Sequence, residues 1–121
     1  MSTLEVSNLN DGTTTVATTF VTNGSAKAWL QHNNSHSIQD SMNFSSITDG
    51  GTGLTNDATF TSSMNNDDYS VSGTVGNTTN DDGFWALTAI ATTDFNARIR
   101  THNGNLNDGG ICSLTVHGDL A

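Results

Sequence analysis

Proline is absent from this chain of 121 residues, cysteine occurs once, and only three side chains are basic. Each gap excludes something. Without proline, chain reversals fall to glycine beside Asn or Asp, as in the pairs that begin at positions 11, 23, 49, 82, 103 and 108. With a single thiol, Cys112, no intramolecular disulfide framework can form. Three bases against twelve acids leave a net charge of -9 and a pI near 4.2. That balance argues against nucleic acid and anionic membranes as partners, because phosphate binding is largely counterion release by Lys and Arg. Charged residues of both signs make up 12% of the chain, against roughly 25% in ordinary globular domains. Lys and Glu are therefore too few to coat the exteriors of a helical bundle. No apolar run approaches the roughly 18 residues of a membrane helix. The opening MSTLEVSNLN has neither the basic nor the apolar region of a secretory leader. The expectation is one soluble domain over residues 1–121, made in a cytoplasm and not inserted in a membrane, with 1–12 as a lead-in or attachment segment.

What remains is Ser, Thr, Asn and Gly punctuated by short runs of Val, Phe and Ile. Those runs alternate with a period of two, which gives a half-buried strand two unlike faces. Between Asn23 and Asp40, Ala26, Ala28 and Leu30 alternate with Lys27, Trp29 and Gln31. The tip Asn33-Asn34-Ser35-His36 then breaks the pattern, and a second arm runs from Ile38 to Ile47. We take this hairpin as the organising unit. Before it, Thr14 to Val21 predicts a strand with Val16, Thr18 and Phe20 on one face. After it come a short strand at Ala58 to Ser62 and a clean alternation of Tyr69, Val71, Gly73 and Val75. Phe84 to Thr92 is the most apolar segment and the candidate for a central strand. In the next, Phe95, Ala97 and Ile99 oppose Arg98 and Arg100. The last strand lies within Ile111 to Gly118, with Cys112, Leu114 and Val116 on one face. Seven or eight strands at spacings of about 8–12 residues predict an all-β fold, an antiparallel sandwich or barrel with no helix of useful length, and a jelly-roll-like β-sandwich is the form expected. Apolar residues are only 33% of the chain. A core that thin favours completion by association with copies of itself.

The whole chain resembles a small β domain of tailed bacteriophages, notably those infecting marine bacteria and cyanobacteria. The matching residues are Asn23-Gly24-Ser25-Ala26-Lys27-Ala28-Trp29 and the run from Asp40 to Asp49. Gly51-Thr52-Gly53, the segment from Phe60 to Val71 and the ending CSLTVHGDLA continue the match. Around His32 to Ser37, where the family tends to carry an aromatic and a Gly/Thr-rich tip, this chain has two histidines and two asparagines. The resemblance implies a virion structural protein at the particle surface, assembled in the host cytoplasm. It implies a tail-fibre or receptor-binding β domain, with capsid decoration as the alternative. Its partners would be its own copies in a homotrimer, other virion proteins and a host cell-surface glycan or protein. A small polysaccharide hydrolase is the third reading, and spacing singles out no acid pair for it. The chain is not expected to be an enzyme.

His32 and His36 are four apart, which on a helix would place both on one metal ion. At a β tip that spacing predicts no shared face, so both are expected as exposed loop residues. Asn33 and Asn34 beside them, and Asn65, Asn66, Asp67 and Asp68 in a second loop, complete the candidate contacts for a host ligand. The acidic clusters at 65–68 and 80–82 lack the register and closing Glu of a calcium loop, and turn formation accounts for both. Neither a catalytic group, a metal site nor a cofactor is expected. Trp29, Tyr69 and Trp85 are candidates for core or subunit-contact aromatics, and Trp29 also has the form of a sugar-stacking platform. Arg98 and Arg100, on one strand face, are candidates for inter-subunit ion pairs. Ser25 and Lys27 share a strand face, but nothing near them suggests an oxyanion hole. Cys112 is expected to be a buried, inert thiol. Four glycosylation sequons are expected by chance in a chain this rich in Asn, Ser and Thr.

Overall fold

The computed structural model describes residues 2–76 and 83–120. The acidic cluster and turn at 80–83 and the sequon that begins at Asn77 thus fall wholly or partly outside the described residues. Eight strands form one antiparallel sheet: β3 (Ala28–Asn33), β4 (Ile38–Met42), β5 (Phe44–Asp49), β6 (Leu54–Phe60), β7 (Ser70–Gly76), β8 (Gly83–Ile90), β9 (Asp94–Thr101) and β10 (Ile111–His117). A separate two-stranded hairpin, β1 (Asn8–Asn10) and β2 (Thr15–Ala17), precedes them, followed by the short helix α1 (Thr18–Gly24). The all-β, sandwich-like expectation holds.

The large sheet runs in the order β4-β3-β10-β7-β8-β9-β6-β5. Its two edge strands, β4 and β5, are separated in sequence by Asn43 alone. A sheet whose opposite edges are joined by one residue has to bend round, and this one curls nearly into a barrel. Asn43 makes the joint. It adopts φ 60°, a left-handed conformation that Asn tolerates better than most residues. Its carboxamide donates to the carbonyls of Lys27 (3.2 Å) and Ser62 (3.1 Å) and accepts from the Ser62 amide (2.7 Å). The ends of β3 and β6 are thereby tied across the seam.

Several local expectations are corrected. The predicted second arm from Ile38 to Ile47 is two strands, because Asn43 breaks the alternation. Met42 and Phe44 consequently part company, the first 41% exposed and the second buried. The predicted strand from Thr14 to Val21 ends at Ala17, and helix replaces the rest. Thr18 anchors that helix, with its amide and hydroxyl both donating to the Ser7 carbonyl. Over eight residues, a periodicity of two cannot by itself exclude a helical turn. Phe84 to Thr92 does yield a strand flanked on both sides in the sheet order, but not a buried one. Phe84 is 48% exposed, and Leu87 and Ile90 are also open to solvent.

The inner wall changes character along its length. At one end Phe44, Phe60, Tyr69 and Phe95 meet with ring centroids 5.1 to 6.0 Å apart, beside Ala28, Met64 and Val116. The Tyr69 hydroxyl lies within donating distance of the Ala91 (2.9 Å) and Asp94 (3.0 Å) carbonyls. At the other end the same strands contribute His32, Cys112, Thr55 and Thr101, all buried. Between the two ends, Gly73 takes the inward position opposite Leu114. A Cβ there would meet the Ser113 carbonyl at 2.5 Å and the Trp85 indole at 3.0 Å, so glycine leaves room for the tryptophan inside.

Candidate functional site

The two histidines of the β3–β4 tip are not loop contacts. His32 is 1% exposed and His36 6%, and their rings stack with centroids 5.0 Å apart. The expectation of exposed side chains with no shared face is therefore corrected. The strand runs on to Asn33, so His32 takes the next inward position after Ala28 and Leu30. The Asn33 carboxamide then accepts from the amides of Ser35 and Ser37, both at 3.0 Å, and reverses the chain. His36, at φ 52°, is turned back over the barrel end. Extending the period of two by one step past Leu30 would have placed His32 inside. Nothing in the sequence placed His36 on top of it.

Within that end, His32 Nδ1 lies 2.7 Å from the Asn33 carbonyl, so it carries the proton and leaves Nε2 with a bare lone pair. The Trp85 ring meets His32 edge-on at 5.7 Å. His32 Nε2, both His36 nitrogens and Thr55 Oγ1 are buried without a hydrogen-bond partner among the described residues. His36 Nδ1 is 3.5 Å from Asp49 Oδ1, close enough for an ion pair only with a protonated ring. Burial pushes the His32 pKa down, and the neighbouring His36 adds to this against the pull of the Asn33 carbonyl. Burial likewise pushes the Cys112 thiol up to about 11, as fits an inert side chain. Among the described residues, no three His, Cys, Asp or Glu side chains converge to hold a metal ion.

The loop from Asn65 to Asp68 keeps three exposed side chains, with Asn66 half-buried. The Asp68 amide donates to Asn66 Oδ1 (3.0 Å), a local turn, and the Asn65 amide donates to the Asp119 carbonyl (2.7 Å). Asn34 is exposed and Asn33 half-buried in its turn. Tyr69 and Trp85 belong to the core side of the sheet. Arg98 and Arg100 face outward from β9 as expected, and Arg100 donates to the Gly104 carbonyl at 2.5 Å. Among the described residues neither forms an ion pair within the chain. Ser25 and Lys27 do meet, but the Lys27 ammonium also donates to the carbonyls of Thr22 and Ser25, where it caps the end of α1.

Trp29 is the aromatic that the core does not take. It stands half-buried on the outer face of β3, and strand registry builds a patch around it. One row across four strands reads Met42, Trp29, Thr115, Ser72, and the next reads Asp40, Gln31, Ser113, Thr74. Ser72 and Thr115 hydroxyls lie 3.1 Å apart, and the Gln31 amide reaches the Ser113 hydroxyl at 3.4 Å. A groove of about 630 Å³ runs over these rows and is bounded by Trp29 and Asp40 on one side and Ser72 and Thr74 on the other. A second, larger groove of about 1010 Å³ lies by the seam, between Lys27, Asn43 and Leu120.

Comparison with protein-family models, with curated proteins and with solved structures found no match to this chain.

Proposed function

We propose that this chain is a structural protein of a tailed-bacteriophage virion, a tail-fibre-type β domain that contacts the host surface as a homotrimer. The resemblance from Asn23 to Trp29 and from Asp40 to Asp49 supports the reading, as does an all-β body with a polar exterior. The observation that carries it is the outer face around Trp29. Two cross-strand rows there offer hydroxyls, an amide and a carboxylate beside one large aromatic, held in register by the pairing of four neighbouring strands. Such a surface suits recognition of a polar partner better than burial in an apolar interface. Residues 2–25 support attachment to a larger assembly. None of the α1 residues is buried, and Leu4, Val6, Leu9, Phe20 and Val21 are all exposed. A two-stranded hairpin and a seven-residue helix are marginal alone in water, so a partner that covers them would complete the segment.

That same segment also serves the alternative, capsid decoration. Immunogold labelling of purified particles with antibody to this chain separates the two. Label at the tail tip, together with blocked adsorption, supports the adhesion role. Dense label over the head sinks it in favour of decoration.

A further inference from the structure

We infer that the groove over β4, β3, β10 and β7 is a binding site for a neutral oligosaccharide, with the Trp29 indole as its stacking platform. This deepens the host-adhesion reading and rests on it.

The chemistry of the two rows selects the ligand. A pyranose ring has an apolar C–H face and a rim of hydroxyls, so it needs one flat apolar surface ringed by groups that both donate and accept. Trp29 supplies the surface, since an aromatic at a wet boundary offers an apolar face and a polar tip together. Around it, Ser72, Thr74, Ser113 and Thr115 each present a hydroxyl that donates or accepts as the partner requires. Gln31 adds an amide with both functions, and Asp40 adds a carboxylate that can accept from two adjacent hydroxyls. Three inter-strand spacings span roughly 14 Å, the length of a short oligosaccharide rather than a single sugar. The groove of about 630 Å³ is of matching size.

Charge narrows the class further. None of the chain's three bases lines the groove, whereas Asp40 does and the net charge is -9. Acidic sugars and phosphorylated glycans would be repelled. An extended peptide is disfavoured for a different reason. Strand addition requires a free edge, and Trp29, Gln31, Ser113 and Thr115 stand on β3 and β10, which are paired on both sides along these rows.

The test titrates the purified chain with maltohexaose, cellohexaose and mannohexaose, and with oligogalacturonate as the charged comparison. Tryptophan fluorescence and calorimetry read binding, while sedimentation records the oligomeric state. We expect at least one neutral oligosaccharide to bind and oligogalacturonate to bind none or less. Trp29→Ala should weaken binding about tenfold or more, as loss of a tryptophan anchor commonly does. Gln31→Ala, at an exposed position that cannot upset the core, should weaken it by a smaller factor with the circular-dichroism spectrum unchanged. The site is overturned if none of the neutral sugars binds, if affinity survives both substitutions, or if the acidic sugar binds best. It is also overturned if Trp29→Ala changes only the oligomeric state, which would make this face a subunit contact. Label at the tail tip with no sugar binding would remove the site and leave the adhesion reading. Sugar binding by a chain absent from the particle would do the reverse.

Discussion

The two ends of the barrel interior are built by the same strands but closed in different ways. At one end four aromatic rings interlock, and the one polar group among them, the Tyr69 hydroxyl, faces two carbonyls. At the other, two stacked imidazoles and a threonine are buried with four polar atoms that have no hydrogen-bond partner among the described residues. Burying apolar surface stabilises a fold in proportion to area, whereas an unpartnered buried polar atom costs roughly 1–3 kcal/mol. The aromatic end therefore holds the domain together, and the histidine end is tolerated by it.

The most severe way to break that asymmetry is Phe95→Ala. Phe95 is fully buried and touches two other rings, so its loss should cost about 3–5 kcal/mol. A domain of ordinary stability holds only about 5–15 kcal/mol in all, so urea denaturation should show a large fall in midpoint. A midpoint within error of the parent would mean that the aromatic cluster is not the stabilising half.

Next comes the seam. Asn43→Ala removes three side-chain hydrogen bonds and places alanine at φ 60°. The expected loss is about 2–3 kcal/mol, from unpaired groups and left-handed strain together. Asn43→Gly keeps the conformation and should recover part of it. Equal thermal midpoints for the two variants would remove the strain component.

Tyr69→Phe should cost about 1 kcal/mol, the net worth of one hydrogen bond. Burial pushes the Tyr69 pKa up to about 12 from 10. The fold thus favours the protonated phenol, and its contribution is intact below pH 10 and lost as pH rises toward 12. The phenylalanine variant should show a smaller loss of stability across that alkaline range.

The smallest effect at neutral pH belongs to the histidine end. His32→Leu removes a buried lone pair, and the Asn33 carbonyl still accepts from the His36 amide (3.0 Å). Stability should stay within about 1 kcal/mol of the parent. The informative readout is acid. A pKa held below its unfolded value of 6.5 gives stability that is fully present above pH 6.5 and falls as pH drops through the folded value. Denaturation midpoints between pH 7 and 5 should decline less in the leucine variant, and parallel curves would show that His32 does not carry the acid sensitivity.

The strands of the core were legible where inward and outward residues alternate without interruption. Phe95-Ala97-Ile99 and Cys112-Leu114-Val116 have the inward faces their pattern predicts. Legibility failed at Asn43 and Asn33, where a side chain replaces backbone pairing and the chain turns without a glycine. It failed also at β8, where hydrophobicity promised burial and the described side chains are largely open. Of the candidate contacts, the loop at 65–68 stays at the surface, but the histidines do not. The patch around Trp29 was only half visible. The alternation alone sets Trp29 opposite Ala28 and Leu30, yet its neighbours on β10 and β7 come from more than forty residues away.

By itself the sequence determined that the chain pleats. The period of two, the Gly-containing corners and the scarcity of Lys and Glu leave little else for it to do, because these are local preferences summed along the strand. Which strands lie side by side, and therefore that Thr115 and Ser72 flank Trp29 or that His36 covers His32, was decided only by the closure of the sheet. Registry between distant segments depends on how their inner faces fill one shared volume, and no stretch of the chain contains that volume alone.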